Sequence, residues 1–161
     1  NIFMARTRWS DVINLALGQP ATQSSTAARG VASRAVDGNT SGVWSHKSTT
    51  HTSGRNPSSR WRVDLRRQGM VGNAEIQKIK VYNRSDCCTN RLDYVKIRIL
   101  DSSNAVVWEE QIAKPATNEH TFEFDIPVEG VTVEALKDDP AMDDSVISLA
   151  EVEVTGRYQY M

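Results

Sequence analysis

At 161 residues the chain is long enough to bury one good core and short for two independent ones, which points to a single domain. Its 19 Lys and Arg against 20 Asp and Glu leave a formal net charge of −1, so no global field favours nucleic acid or an anionic membrane as partner. No apolar run approaches the roughly 20 residues needed to insert across a bilayer, and Asn1 to Ser10 hold no continuous hydrophobic segment. A start at Asn1 rather than Met is expected of a processed product or a piece excised from a longer chain.

In chain order, Arg6 to Leu17 carries the one weak helical spacing, and the first 13 residues read as an extension or linker. Thr22 to Ser59 is rich in Ser, Thr, Gly and Asn with few apolar residues at strand spacing, and is predicted to be mainly loop. A long loop inside one domain is either functional or braced by an ion. Apolar and polar residues then alternate with the period of half-buried strands at Trp61–Leu65, Ile79–Tyr82 and Val95–Ile99. The same pattern returns at Phe122–Ile126, Val131–Ala135 and Ala150–Val154, with turn-rich segments between. The predicted fold is all-β, an antiparallel sandwich or jelly roll with little helix. The domain is expected over 14–157, with 158–161 as a tail.

Both cysteines of the chain are adjacent, Cys87-Cys88. In an oxidising environment they can close a vicinal disulfide ring with a flat, sulfur-rich apolar face; otherwise they are two reduced thiols. Arg84 and Arg91 bracket the pair within Arg84-Ser85-Asp86-Cys87-Cys88-Thr89-Asn90-Arg91. Guanidinium forks suit vicinal hydroxyl oxygens, Asp86 can orient them or cap the turn, and an apolar ledge beside them has the make-up of a sugar pocket. A bare arginine pair is otherwise solvated charge.

This segment, preceded at a distance by Thr50-His51-Thr52-Ser53-Gly54, resembles the motif of the F-type lectin (fucolectin) family. The similarity runs from Asn14-Leu15-Ala16-Leu17-Gly18-Gln19-Pro20 through Ala35-Val36-Asp37-Gly38-Asn39 and Trp61-Arg62-Val63-Asp64-Leu65 to Glu151-Val152-Glu153-Val154. The resemblance implies a discoidin-like jelly roll and a secreted lectin that takes terminal L-fucose on glycans without catalysis. His51, Arg84 and Arg91 would then hydrogen-bond the sugar, with Cys87 and Cys88 packed against one edge. Trp44 would wall the pocket for the C6 methyl, or else anchor the core. It also implies a structural calcium ion held by Asp37, Asn39, Ser48 and Glu151 with the carbonyls of Arg34 and Ala150; without it, Asp-Gly-Asn is a plain turn.

The chain departs from the family pattern between His51 and Arg84, where Ser58-Ser59 and the Gln68–Asn73 loop lengthen the spacing. It also has Thr49 and Ala150 where a family disulfide would lie. The calcium ion is the expected replacement brace. Weak single sites imply avidity from several domains or an oligomer.

Two other classes compete with this reading. An enzyme would pair His51 with Asp64 or Asp86, but no nucleophile elbow, P-loop or zinc-binding His pair is present, and His46 and His120 lack partners at ligand spacing. A discoidin-like module binding lipid or protein would need apolar loop tips, for which Trp44 and Met70 are the main candidates.

Overall fold

A computed structural model describes residues 6–161. Among the described residues ten strands form two antiparallel sheets. The first contains β1 (Arg8–Trp9), β2 (Ile13–Asn14), β5 (Met70–Asn83), β8 (Glu119–Gly130) and β10 (Leu149–Tyr160), in the order β1-β10-β5-β8 with β2 also on β10. The second contains β3 (Ala21–Gln23), β4 (Ser59–Asp64), β6 (Lys96–Leu100), β7 (Val106–Gln111) and β9 (Thr132–Lys137), in the order β3-β4-β9-β6-β7.

Period-two patterning sets the two inner faces. Trp61 and Val63 of β4, Ile97 and Ile99 of β6, and Val133 and Ala135 of β9 face Ile76, Ile79 and Val81 of β5 and Val152 and Val154 of β10 in one buried core. Each Val or Ile so enclosed contributes about 1.5–3 kcal/mol. Trp61 also donates its indole N–H to the carbonyl of Ala32 at 3.0 Å, tying the 3₁₀ turn Ala32–Val36 to the core. That bond is how a long polar connection acquires a fixed position.

The all-β expectation is met, and the segment from Thr22 to Ser59 is mainly loop as expected, with two short 3₁₀ turns over 24–58, while Thr22 and Gln23 close β3 and Ser59 opens β4. Several local expectations are corrected. Arg6 to Leu17 is not helical: Arg8–Trp9 pairs with Gln159–Tyr160, and Ile13–Asn14 with Thr155–Gly156. The segments predicted as extension and tail thus pair with each other inside the first sheet, residues 1–5 of the extension lying outside the described residues. The predicted Gln68–Asn73 loop is mostly strand, because β5 begins at Met70 and its first residues pair with the end of β10. Within β8 the pairing jumps from Ile76–Val128 to Lys78–Glu123, and of the residues between them Phe124 packs inward while 125–127 are exposed. Ile126, inward by simple alternation, is therefore 84% exposed. Strand β7 was missed because Val106-Val107-Trp108-Glu109-Glu110-Gln111 does not alternate. Its Trp108 packs edge-on against Phe122 and Phe124, at 5.4 and 4.9 Å between centroids, where the two sheets meet at their open edge.

Candidate functional site

The segment leaving β5 carries Arg84 and then folds back through the cysteine pair into a 3₁₀ turn, Thr89–Leu92, that carries Arg91. Cys87 and Cys88 are joined, with S–S 2.09 Å and Cα atoms 3.8 Å apart. The reversal is made at Cys88, which sits in the left-handed region at φ 62°, a conformation that costs a non-glycine residue about 1–3 kcal/mol. Arg91 N–H closes the turn on the carbonyl of Cys88 at 3.0 Å. Asn83 holds the base of this hairpin, its side-chain amide donating to the carbonyls of Thr89 (2.9 Å) and Thr117 (3.1 Å).

Asp86 is the clamp. One carboxylate oxygen accepts from Arg84 Nε at 2.7 Å and the other from the backbone N–H of Trp44 at 3.1 Å, so one side chain orients an arginine and fixes a neighbouring loop. The Arg84 partner holds the Asp86 carboxyl below its ordinary range, with the Trp44 N–H adding to the effect. Close approach of the two loops depends on Gly42: a Cβ there would lie 2.5–2.7 Å from Ser85 Oγ, Asn83 O and Ser85 N.

His51 enters from the opposite side. Thr50 and Thr52, both buried, flank it and bond to the segment that enters β10: Thr50 N–H donates to Leu149 O, Thr52 N–H to Ile147 O, and each hydroxyl accepts the return N–H. Arg91 reaches Ser148 Oγ, at 3.4 Å, within that same segment. His51 Nδ1 lies 2.7 Å from the carbonyl of Thr52, which only a protonated Nδ1 can donate to. The neutral ring then presents Nε2 as an acceptor. Desolvation, and to a smaller extent the charges of Arg91 and Arg84, lower the His51 pKa from its ordinary value, with the Thr52 hydrogen bond opposing. The site thus offers one neutral acceptor and two permanent donors.

Trp44 joins these parts. Its half-buried ring stands edge-on to His51 at 5.7 Å, with the Arg84 guanidinium 5.0 Å and that of Arg34 5.5 Å from its centroid. It is neither a free loop tip nor a member of the main core. Met70 likewise packs against the core, so neither apolar tip expected of a lipid-binding module projects freely. The acid–base pairing of an enzyme is not formed either: Asp86 holds Arg84 and Trp44, and Asp64 holds Arg66.

Of the residues expected to hold a cation, Glu151 is brought against the Asp37–Gly38 turn. Glu151 is fully buried; Oε2 accepts the N–H of Gly38 at 2.7 Å, while Oε1 has no partner. Burial above all, opposed by the Gly38 N–H and reinforced by Asp37 and Glu153, pushes its pKa up to about 8. An unpartnered buried carboxylate oxygen beside a second carboxylate is a site with negative charge in excess, which a hard cation would relieve. Buried Ser48 lies in the same loop, its hydroxyl donating to Ser41 O. Among the described residues no three His, Cys, Asp or Glu side chains gather as a metal site, so Asn39, Ser48 and the Arg34 and Ala150 carbonyls would have to complete any coordination. These hard oxygen donors fit calcium.

Reading the sequence missed the side chain of Arg34 as a stacking partner, Gly30 and Gly42 as points of close approach, and Lys137 and Asp144 beneath Arg91. Only Lys137 had a legible signal, sharing strand parity with inward Val133 and Ala135. A groove of about 730 Å³ lies away from this site, lined by residues including Glu75, Asp101, Ile126 and Arg157.

Two antiparallel sheets with loops converging on paired arginines, a histidine and a sulfur-lined turn define a ligand-binding β-sandwich of the discoidin type. The family model described as NedA-like, galactose-binding domain, of the F5/8 type C group, matches residues 34–135. Fucolectin-4 of Anguilla japonica is 40% identical over 94 residues, covering 55% of this chain and 49% of its own. The chain thus spans about half the length of the curated relatives it matches. A Streptococcus pneumoniae fucose binding module superposes with a TM-score of 0.77 at 31% identity, over 91% of this chain and 97% of its own. The fucolectin from Morone saxatilis serum gives 0.73 at 34% identity, over 91% of this chain and 50% of its own. This chain belongs to the discoidin-like F5/8 type C family, in its F-type lectin branch.

Proposed function

We propose that the chain is a secreted lectin domain that binds terminal L-fucose on glycans reversibly and without catalysis. The observation that carries this reading is the convergence of an unprotonated His51 Nε2 with the guanidinium groups of Arg84 and Arg91 around one exposed disulfide turn. Fucose needs such a mixture: donors for its hydroxyl and ring oxygens, an acceptor for a hydroxyl proton, and apolar surface for its less polar edges. The Cys87-Cys88 ring supplies one apolar edge and the Trp44 ring another, the latter beside the C6 methyl. Secretion is supported by the disulfide, which persists in oxidising compartments.

Calcium held by Asp37, Asn39, Ser48, Glu151 and the carbonyls of Arg34 and Ala150 would neutralise the buried carboxylate charge. Its effect on the sugar site runs through this chain's residues: Arg34 carries a ligand carbonyl and stacks on Trp44, while Ala150 and Glu151 follow the Ile147–Leu149 segment that flanks His51. A single site that exchanges water hydrogen bonds for protein ones gains about 1 kcal/mol per bond, so affinity nearer micromolar than nanomolar is expected. Useful strength on fucosylated glycans would come from several domains or an oligomer.

Arg84→Ala tests the assignment. Arg84 is no part of the buried core, so its loss leaves the core intact; saturable fucose binding is expected to vanish while the melting temperature stays close to the parent's. Undiminished fucose affinity in that variant would overturn the reading.

A further inference from the structure

Lysine is among the residues least often fully buried, since desolvating an ammonium is costly unless its donors are met. Lys137, at the end of β9, is nevertheless only 2% exposed. Its Nζ donates to Arg91 O at 2.8 Å, to Val146 O at 3.0 Å and to Asp144 Oδ1 at 3.3 Å, which satisfies all three ammonium protons. Asp144 Oδ1 in turn accepts the Val146 N–H at 2.9 Å. None of the partners belongs to the sheet that carries the lysine. One is the backbone of the arginine on the disulfide turn; the others belong to the segment that continues through Ile147, Ser148 and Leu149, whose bonds to Thr52 and Thr50 bracket His51.

We infer that Lys137 is a positioning residue for the saccharide site, a buried cation that locks the turn carrying Arg91 to the segment that holds His51. The inference rests on the fucose reading above and extends it to a residue that does not touch the sugar. The two sides of the site come from distant parts of the chain; the ladder pairing of Leu149 with Asn83 joins them at the base of the turn, and the Lys137 ammonium joins them at Arg91 itself. Arg91 itself contributes one long bond to Ser148, at 3.4 Å, and its guanidinium must remain free for ligand. The main-chain carbonyl of Arg91 is a point at which the turn can be held without using the side chain that works, and Lys137 holds it there. The cost is visible in the lysine itself: desolvation lowers its pKa from the ordinary value, with the Asp144 carboxylate opposing. An aliphatic residue at this inward position would avoid that cost but leave two carbonyls of the site's scaffold without a donor.

The test is Lys137→Met, which keeps the length and removes the donors. Calorimetric titration with L-fucose in calcium is run on parent and variant well below the melting temperature of either, and melting is recorded separately. Parent binding with a variant at least about tenfold weaker, in protein that is folded at the titration temperature, supports the inference. A lysine with a merely structural role lowers the melting temperature but leaves the affinity of the folded protein unchanged, and that result overturns it. No binding by the parent overturns the underlying fucose reading instead. Should Lys137→Met fail to fold, the ¹⁵N signal of the Lys137 ammonium in the parent decides: a shift on fucose saturation supports coupling to the site, and a signal unmoved by saturating fucose contradicts it.

Discussion

Gly30 is buried against the strand-like segment that carries His51, and substituting it by alanine converts a packing contact into a measurable loss of recognition. The two backbones cross at hydrogen-bond distance, His51 N–H donating to Gly30 O at 2.9 Å. A Cβ added to Gly30 would sit 2.5 Å from His51 N, 2.6 Å from His51 Cβ and 2.9 Å from Thr50 C. Cβ atoms essentially never approach within 3.0 Å of other heavy atoms, so His51 or the Ala27–Gly30 loop must move by at least about half an ångström. None of these neighbours is the far end of a flexible side chain, and overpacking of this kind costs about 1–3 kcal/mol. For a domain of this size that lowers the melting temperature by roughly 2–12 °C. The same shift stretches whatever bond Nε2 makes to a sugar hydroxyl; losing that bond is worth about 1 kcal/mol, or a weakening of about five- to tenfold. Scanning calorimetry of Gly30→Ala reads the first effect and fucose titration at low temperature the second. A variant that matches the parent in both would refute the geometry from which the cost is drawn.

Three further outcomes follow from the site. Asp86→Ala frees Arg84 and releases the Trp44 N–H, so fucose affinity should fall about tenfold with little change in melting temperature, as titration and calorimetry on one sample will report. His51 presents Nε2 as an acceptor only while neutral; its lowered pKa keeps it so at neutral pH, and affinity should stay flat there and fall below the ordinary histidine value as the ring protonates. Fucose titrations across pH check this, and affinity that rises on acidification would contradict the acceptor role. For Glu151 the folded pKa of about 8 lies above the ordinary 4.5, so its contribution to stability is complete below about 4.5 and is lost as pH rises towards 8, by about 1.4 kcal/mol per unit. Chelator-treated protein should therefore melt progressively lower across that window, whereas added calcium, which favours the ionised carboxylate, should reverse the trend; identical pH profiles with and without calcium would remove the case for an ion at Glu151.

The residues visible in the sequence were those whose role is carried by strand parity or local spacing. Trp61, Val63 and Leu65 alternate and are buried, and the Arg84–Arg91 segment carries its chemistry within eight residues. Ile126 failed because a bulge changes parity without changing composition. Met70–Asn73 failed because Gly69 and Gly72 read as turn residues, whereas pairing with β10 holds the segment as strand. Tertiary contacts between distant segments leave no local trace: the Arg34–Trp44–Arg84 stack, the fit of Gly30 against His51 and that of Gly42 against Ser85 depend on how loops meet. Lys137 lies between these cases, since its inward parity was readable but its partners were not.

The central claim is that His51, Arg84 and Arg91 form a site for L-fucose. Titration calorimetry of the folded, disulfide-bonded protein with L-fucose in calcium, with galactose as control, tests it most directly. Saturable heat from fucose alone, at one sugar per chain, is the predicted result. No saturable heat from fucose, or equal binding of galactose, would contradict the account.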